Sequence, residues 1–249
     1  MGLRETNAIV LRKYNLSDAD RIVVFLTEKF GLVRGVAQGA KRLKSRFASS
    51  LELFTEVSLS FIQKEERELV QIRETEILGS VFGFLSHPEA YSVFSDMADL
   101  LLRFAPAGEP NPRLYRMSLH SIQTMVAMPE RLIQIRVYFG VWLLQLSGFL
   151  PDWKTCKSCG RELEDSESGK IGIDFSVYCE VCGARARRLG LGVRRMLLKA
   201  LSGSAKGFSN FASENIETCA ELGSIITDMT SAVLDLAPDR NYGQPKRVL

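Results

Sequence analysis

Residues 7–37 read NAIVLRKYNLSDADRIVVFLTEKFGLVRGVA, and their pattern decides how the first part of the chain folds. Runs rich in Val, Ile, Leu and Phe at 7–14, 21–28 and 31–38 are separated by polar breaks at Asn15–Asp20 and Lys29–Gly31. Short β-branched and aromatic runs bounded by turn residues read as strands. Two further runs, FTEVSLSFIQ (54–63) and ELVQIRETEIL (68–78), flank a break at Lys64–Arg67. SSLEL adds a helical turn before them. Five short strands with turn signals and no helix-length apolar face predict a small antiparallel barrel over residues 1–80.

The period changes at Ser86. SHPE has the spacing of a capping box from Ser86 to Glu89, with Pro88 where a first helical turn tolerates it. Tyr91, Phe94, Ala98, Leu101 and Leu102 follow at three- and four-residue steps, an amphipathic helix. A second helix is expected from Arg113 to Ala127 and a third from Pro129 to Leu146, stopped by Gly148 and Pro151. GVRRMLLKALSG and SENIETCAELGSIITDMTSAVLDL give two more, and the tail NYGQPKRVL is expected to be loose. The class is therefore α+β. A barrel domain over 1–80 precedes a helical domain over 81–249, which is interrupted at about 152–185 by a segment carrying cysteines.

That segment is CKSCGRELEDSESGKIGIDFSVYCEVCG, residues 156–183. Two Cys-x-x-Cys pairs, each followed by glycine, face one another across 19 residues. This spacing suits a structural zinc site, because each tight knuckle points two thiolates at one ion and two knuckles close a tetrahedron. An iron–sulfur cluster usually shows other spacings. A dithiol redox centre would need one reactive pair in a βαβ setting. With Cys156, Cys159, Cys179 and Cys182 filling all four positions, no site is left for water, so the metal is a staple rather than a catalyst. ELEDSES between the knuckles reads as a solvated loop. Cys219 shares a helical face with Ile216, Ile226, Met229 and Val233 and reads as a core thiol.

With 249 residues, 46% hydrophobic and 24% charged, the chain has an ordinary globular balance and can bury a core without covalent staples. No secretory signal opens it, and its longest apolar stretch, VYFGVWLLQL, has ten residues, too few for a bilayer. These features predict a soluble protein of a reducing, cytoplasmic compartment with no membrane partner. His87 and His120 lack partners at metal-site spacing, GVAQGAK fails as a P-loop, and GLGVRR has arginine where a third dinucleotide-fold glycine belongs. No paired carboxylates or nucleophile elbow stand out. The sequence is read as non-enzymatic.

Charge is uneven. Residues 1–50 hold ten Lys/Arg against four Asp/Glu, although the whole chain carries only +3. GAKRLKSRF (39–47) concentrates Lys41, Arg42, Lys44 and Arg46 between two strands, with Arg12, Lys13, Arg21 and Arg34 nearby in sequence. A basic loop on a small barrel can track phosphates while aromatics such as Tyr14, Phe30 and Phe47 stack bases. The same pattern also fits a solvated loop whose aromatics face the core.

The run AIVLRKYNLSDADRIVVFLTEKFGLVRGVAQGAKRLKSRFASSLELF resembles the N-terminal domain of the RecO family of bacterial recombinational DNA repair proteins. The carriers are AIVL, the acidic-Arg pair in DADRIV, TEKFG and the GAKR-x-x-SRF run. RVYFGVWLLQLSGFLP followed by CKSCG and CEVCG is similar to a later region of that family. The acidic residue before the arginine is Asp20, where glutamate is expected in many relatives. The resemblance implies an oligonucleotide-binding barrel, a helical domain with a zinc-binding insertion, and a non-enzymatic mediator at the nucleoid. It implies binding of single- and double-stranded DNA, annealing of complementary strands, and cooperation with RecR, often RecF. Together these would help load RecA onto strands coated with single-stranded-DNA-binding protein. Annealing requires phosphates to be neutralised while base edges stay available. Arg21, Arg34, Lys41, Arg42, Lys44 and Arg46 are the expected DNA contacts, with Arg12 and Lys13 secondary. Two rival readings are an RNA-directed barrel and an enzyme whose site is assembled from distant positions.

Overall fold

The computed structural model describes residues 2–63 and 68–236. Five strands form the N-terminal region: β1 (Leu3–Asn15), β2 (Arg21–Thr27), β3 (Gly31–Ala37), β4 (Glu56–Ile62) and β5 (Val70–Gly79). They close in the order β1-β2-β3-β5-β4, with β1 pairing β4 to complete the ring. All pairings are antiparallel except the short parallel contact of β3 with β5 at Gly35↔Val70 and Val36↔Gln71. This is the connectivity of an oligonucleotide-binding barrel. β1 serves two partners, β4 through Leu3–Ile9 and β2 through Ala8–Asn15, and a register shift between Val10 and Arg12 lets it bend between them. The expected break at Lys64–Arg67 lies outside the described residues, as does the C-terminal tail.

Alternation decides what fills the barrel. Ala8, Val10, Val23, Phe25, Val57, Leu59, Phe61 and Ile72 point inward and are buried. A 3-10 turn at Ala48–Leu51 sends Phe47 and Leu51 into the same core. The opposite face of β1 is buried too, at Ile9 and Leu11, because helix α1 (Pro88–Phe104) packs against it. Phe94 of α1 meets Phe54 edge-to-face at 5.0 Å. The expected capping box does not form. His87 is the N-cap without a side-chain bond, Pro88 opens the helix, and the Ser86 hydroxyl instead donates to the Gly83 carbonyl. Tyr91, expected on the apolar face, is 55% exposed.

The link from α1 to α2 (Pro112–Ala127) hooks onto β3. Leu32 donates its N–H to the Pro106 carbonyl at 3.2 Å, and Gly108 donates to the Leu32 carbonyl at 3.4 Å. Gly31 lies in the left-handed region, φ +63°, and a Cβ there would sit 2.2 Å from the Glu109 carbonyl oxygen. Only glycine fits this turn.

The chain divides into two compact units, one within Met1–Val126 and one within Ala127–Pro238. In the second, α3 (Leu132–Leu146) is preceded by a 3-10 turn at Pro129–Arg131 and is apolar on nearly every side. It is the central helix: α4 (Leu191–Ser202), α5 (Ala205–Ser213) and α6 (Ile216–Leu236) all pack against it. Gly140 allows the closest approach, since a Cβ there would lie 2.7 Å from Ile226. α5 was not foreseen. It is short and contains Gly207, yet Ser204 caps it by accepting from the Gly207 N–H, and Ala205, Phe208 and Ala212 bury one face. Cys219 is buried on α6 as expected, although Ile216, assigned to the same face, is exposed. No helix among the described residues is long and apolar enough to cross a membrane.

Candidate metal centre and nucleic-acid surface

Between α3 and α4 the chain forms a three-stranded sheet in the order β7-β6-β8: β6 (Gly169–Ile171), β7 (Val177–Tyr178) and β8 (Arg187–Leu189). The knuckles flank it. In the first, Gly160 at φ +71° donates its N–H to the Cys156 carbonyl at 2.8 Å. In the second, Gly183 donates to the Cys179 carbonyl at 2.9 Å. The Lys157 N–H bonds the Val177 carbonyl at 2.9 Å, which ties the first knuckle to β7. The four sulfurs of Cys156, Cys159, Cys179 and Cys182 all lie within 4.8 Å of one another, two buried and two exposed.

Their electrostatics call for a cation. The Cys159 N–H and other backbone donors hold the Cys156 thiol down to about 6. Cys182 is pushed up to about 12, first by Cys179 and then by Cys159. Four sulfurs this close cannot all ionise unless a positive ion joins them, and a set of four thiolates with no open position suits one tetrahedral metal.

One residue that the sequence reading passed over organises the segment. Arg194 of α4, only 1% exposed, donates from Nε to the Trp153 carbonyl at 2.9 Å and from its terminal nitrogens to the carbonyls of Leu163, Glu164 and Glu167. The side chains of Glu164 and Asp165 in the acidic stretch are solvated as expected. Its backbone, however, is wrapped round a buried guanidinium. Arg161 adds a two-pronged pair with Glu167. In sequence Arg194 looks like half of a surface Arg-Arg pair, and nothing local distinguishes it.

The barrel places the cationic residues unequally. Lys41, Arg42, Lys44 and Arg46 are exposed on a series of turns after β3 and have no carboxylate partner among the described residues. The loop is anchored by its neighbour. The Asp20 carboxylate accepts the Gly39 N–H at 2.8 Å, the Lys41 N–H reaches the Ala19 carbonyl at 3.0 Å, and Lys41 Nζ reaches the Ser17 carbonyl at 3.1 Å. Gly39, at φ +73°, makes the turn. Arg21, half-buried, opens β2 opposite Asn15 and Ala37. Arg46 lies over the Phe47 ring at 4.9 Å, but that ring is in the barrel core and offers no face to a base.

The remaining candidates are paired with carboxylates or partly buried. Arg12 pairs with Asp99 of α1, and Lys13 pairs with Glu52. Arg34 is mostly buried and meets Glu68 at 3.2 Å. Tyr14 is half-buried, and Phe30 packs edge-to-face on Phe61 at 5.5 Å.

A closed five-stranded barrel with an anchored cationic loop, joined to helices that carry a four-cysteine cluster, defines a narrow class of two-part proteins. Comparison with known families names it. Residues 1–81 match the family model described as Recombination protein O N terminal, and residues 85–239 match Recombination protein O C terminal. The chain belongs to the RecO family. It is 34% identical to the DNA repair protein RecO of Koribacter versatilis, over 66% of each chain. It is 29% identical to the DNA repair protein RecO of Geobacter metallireducens, over 95% of this chain and 97% of the relative. The DNA repair protein RecO of Thermodesulfovibrio yellowstonii is 32% identical over 72% of this chain and 70% of the relative.

Proposed function

We propose that this chain is a non-enzymatic recombination mediator that binds single- and double-stranded DNA through the phosphate backbone and anneals complementary strands. The observation that carries this reading is the loop of Lys41, Arg42, Lys44 and Arg46, four exposed cations on a loop anchored to Ser17, Ala19 and Asp20, with no carboxylate partner among the described residues. Such a surface takes phosphates without reading base edges, so bound strands stay able to pair. Arg21 and Arg34 extend the surface. The barrel over 1–80 is the DNA-binding domain, and 81–249 is the helical domain with its insertion at about 152–185.

In the cell the chain acts in the cytoplasm at the nucleoid with RecR, and with RecF, to help RecA load onto strands coated with single-stranded-DNA-binding protein. Family membership supports these partners. One structural Zn2+ ion is held by Cys156, Cys159, Cys179 and Cys182, where it would lock the two knuckles together. The test of DNA binding is the quadruple variant Lys41→Ala, Arg42→Ala, Lys44→Ala, Arg46→Ala. Its exposed side chains leave folding intact, and it loses affinity for every DNA sequence alike; unchanged affinity would refute the reading.

A further inference from the structure

Beside Arg34 the barrel carries a recess of about 280 Å³. Its walls include Arg4, Phe30, Arg34, Phe61, Glu68 and Gly108. Two features suit a nucleotide. The Arg4 guanidinium lies 5.3 Å from the centre of the Phe30 ring, and Phe61 braces that ring edge-on, so a rigid aromatic sits beside a cation. The volume is at or below the lower limit of small-ligand pockets, which suits one base rather than a stretch of strand.

The second feature is what Arg34 does. Its side chain is 16% exposed, whereas its partner Glu68 is 83% exposed and touches it through one nitrogen, Nη1. Nε of Arg34 is buried and has no partner among the described residues. A guanidinium offers five N–H donors in a fixed fork that matches phosphate oxygens. Here a solvated carboxylate occupies a single prong, and water screens the exposed half of the pair. A strand phosphodiester carries the same single charge on two non-bridging oxygens and brings with it a base that can enter the recess, so a strand can displace Glu68.

We infer that this recess is a single-nucleotide pocket for single-stranded DNA, in which the Glu68 carboxylate holds the phosphate position at Arg34 until a strand arrives. The inference rests on the DNA-binding reading above and refines it. Lys41, Arg42, Lys44 and Arg46 gather strands of either kind, whereas the pocket admits only a base that is not stacked in a duplex.

The test is fluorescence anisotropy with a labelled oligothymidylate and with a blunt hairpin duplex, on wild type, Glu68→Gln, Arg34→Gln and the double variant. Glu68→Gln changes one solvated side chain and should tighten binding to the single strand about three- to fivefold, the worth of a competing surface ion pair. That gain should vanish in the Arg34→Gln background and be absent on the duplex. Arg34→Gln alone should weaken single-strand binding about tenfold, as the loss of a charge-assisted contact does. An equal gain on duplex, or a gain that survives without Arg34, would show a bulk charge effect and overturn the pocket. If the loop variant loses binding while all pocket variants match wild type, the pocket falls and the DNA reading stands. If wild type binds neither DNA at low salt, the reading itself falls.

Discussion

Nε of Arg194 donates to the Trp153 carbonyl at 2.9 Å, so that a helix after the cysteine segment holds the residue at which that segment begins. The guanidinium then bonds three further carbonyls from the acidic stretch. The fold of the insertion therefore depends on one buried cation beside its four-cysteine cluster.

Arg194→Met should destabilise the second unit by about 3 kcal/mol, because the lost bonds are to a charged group and leave buried carbonyls unpaired. Arg194→Lys should not rescue it, since an ammonium cannot reproduce the planar fork. Arg195→Met, which loses one exposed bond to the Asp165 carbonyl, should cost less than about 1 kcal/mol. Denaturant unfolding followed by tryptophan fluorescence measures this directly. Both tryptophans, Trp142 and Trp153, lie in the second unit. Equal effects at 194 and 195 would refute the clamp.

The purified chain should carry one zinc per molecule, and Cys179→Ser should abolish tight retention and lower the unfolding temperature of the same unit. DNA affinity of the barrel is expected to change far less. Elemental analysis of protein purified without added metal checks the stoichiometry, and a metal-free protein of undiminished stability would contradict the assignment. Cys219→Ala should leave the metal content unchanged, because that thiol is buried on α6 outside the cluster.

Asp20 gives a prediction whose sign opposes simple electrostatics. Removing a carboxylate beside a DNA surface ought to strengthen binding, yet this carboxylate holds the loop through the Gly39 N–H at 2.8 Å. Asp20→Asn keeps the acceptor and should bind DNA as well as wild type or better. Asp20→Ala loses it, at about 1 kcal/mol of stability, and should bind several-fold more weakly than Asp20→Asn. If the two variants bind alike, the anchor is irrelevant.

Gly31→Ala should destabilise the first unit by more than about 2 kcal/mol, through both the left-handed backbone and the collision with the Glu109 carbonyl. Gly108→Ala has a comparable φ, +74°, but open space around it, and should cost only about 1 kcal/mol. Thermal unfolding of both variants separates conformation from collision.

Much of this was legible in the sequence because the signals are local. The alternation of EVSLSFI survives as the inward and outward pattern of β4, with Val57, Leu59 and Phe61 buried. The cysteine spacing gave the cluster because two knuckles carry their own geometry. Long-range pairings were not legible. The partner of Arg12 lies 87 residues away on α1, and that of Lys13 lies 39 residues away, so both looked available. Phe47 looked like an aromatic companion to the basic loop, but the 3-10 turn that follows it sends the ring into the core. α5 was missed because it has only nine residues, its buried face holds a single large side chain, Phe208, and Gly207 lowers its helix propensity.

The most direct test of the central claim is a salt titration of binding to a fluorescent single-stranded oligonucleotide. With about 0.7 per neutralised phosphate, four to six contacts give a log–log slope of about −3 to −4. The quadruple loop variant should flatten that slope by most of its value. No binding at low salt, or a slope that the loop variant leaves untouched, would contradict the account.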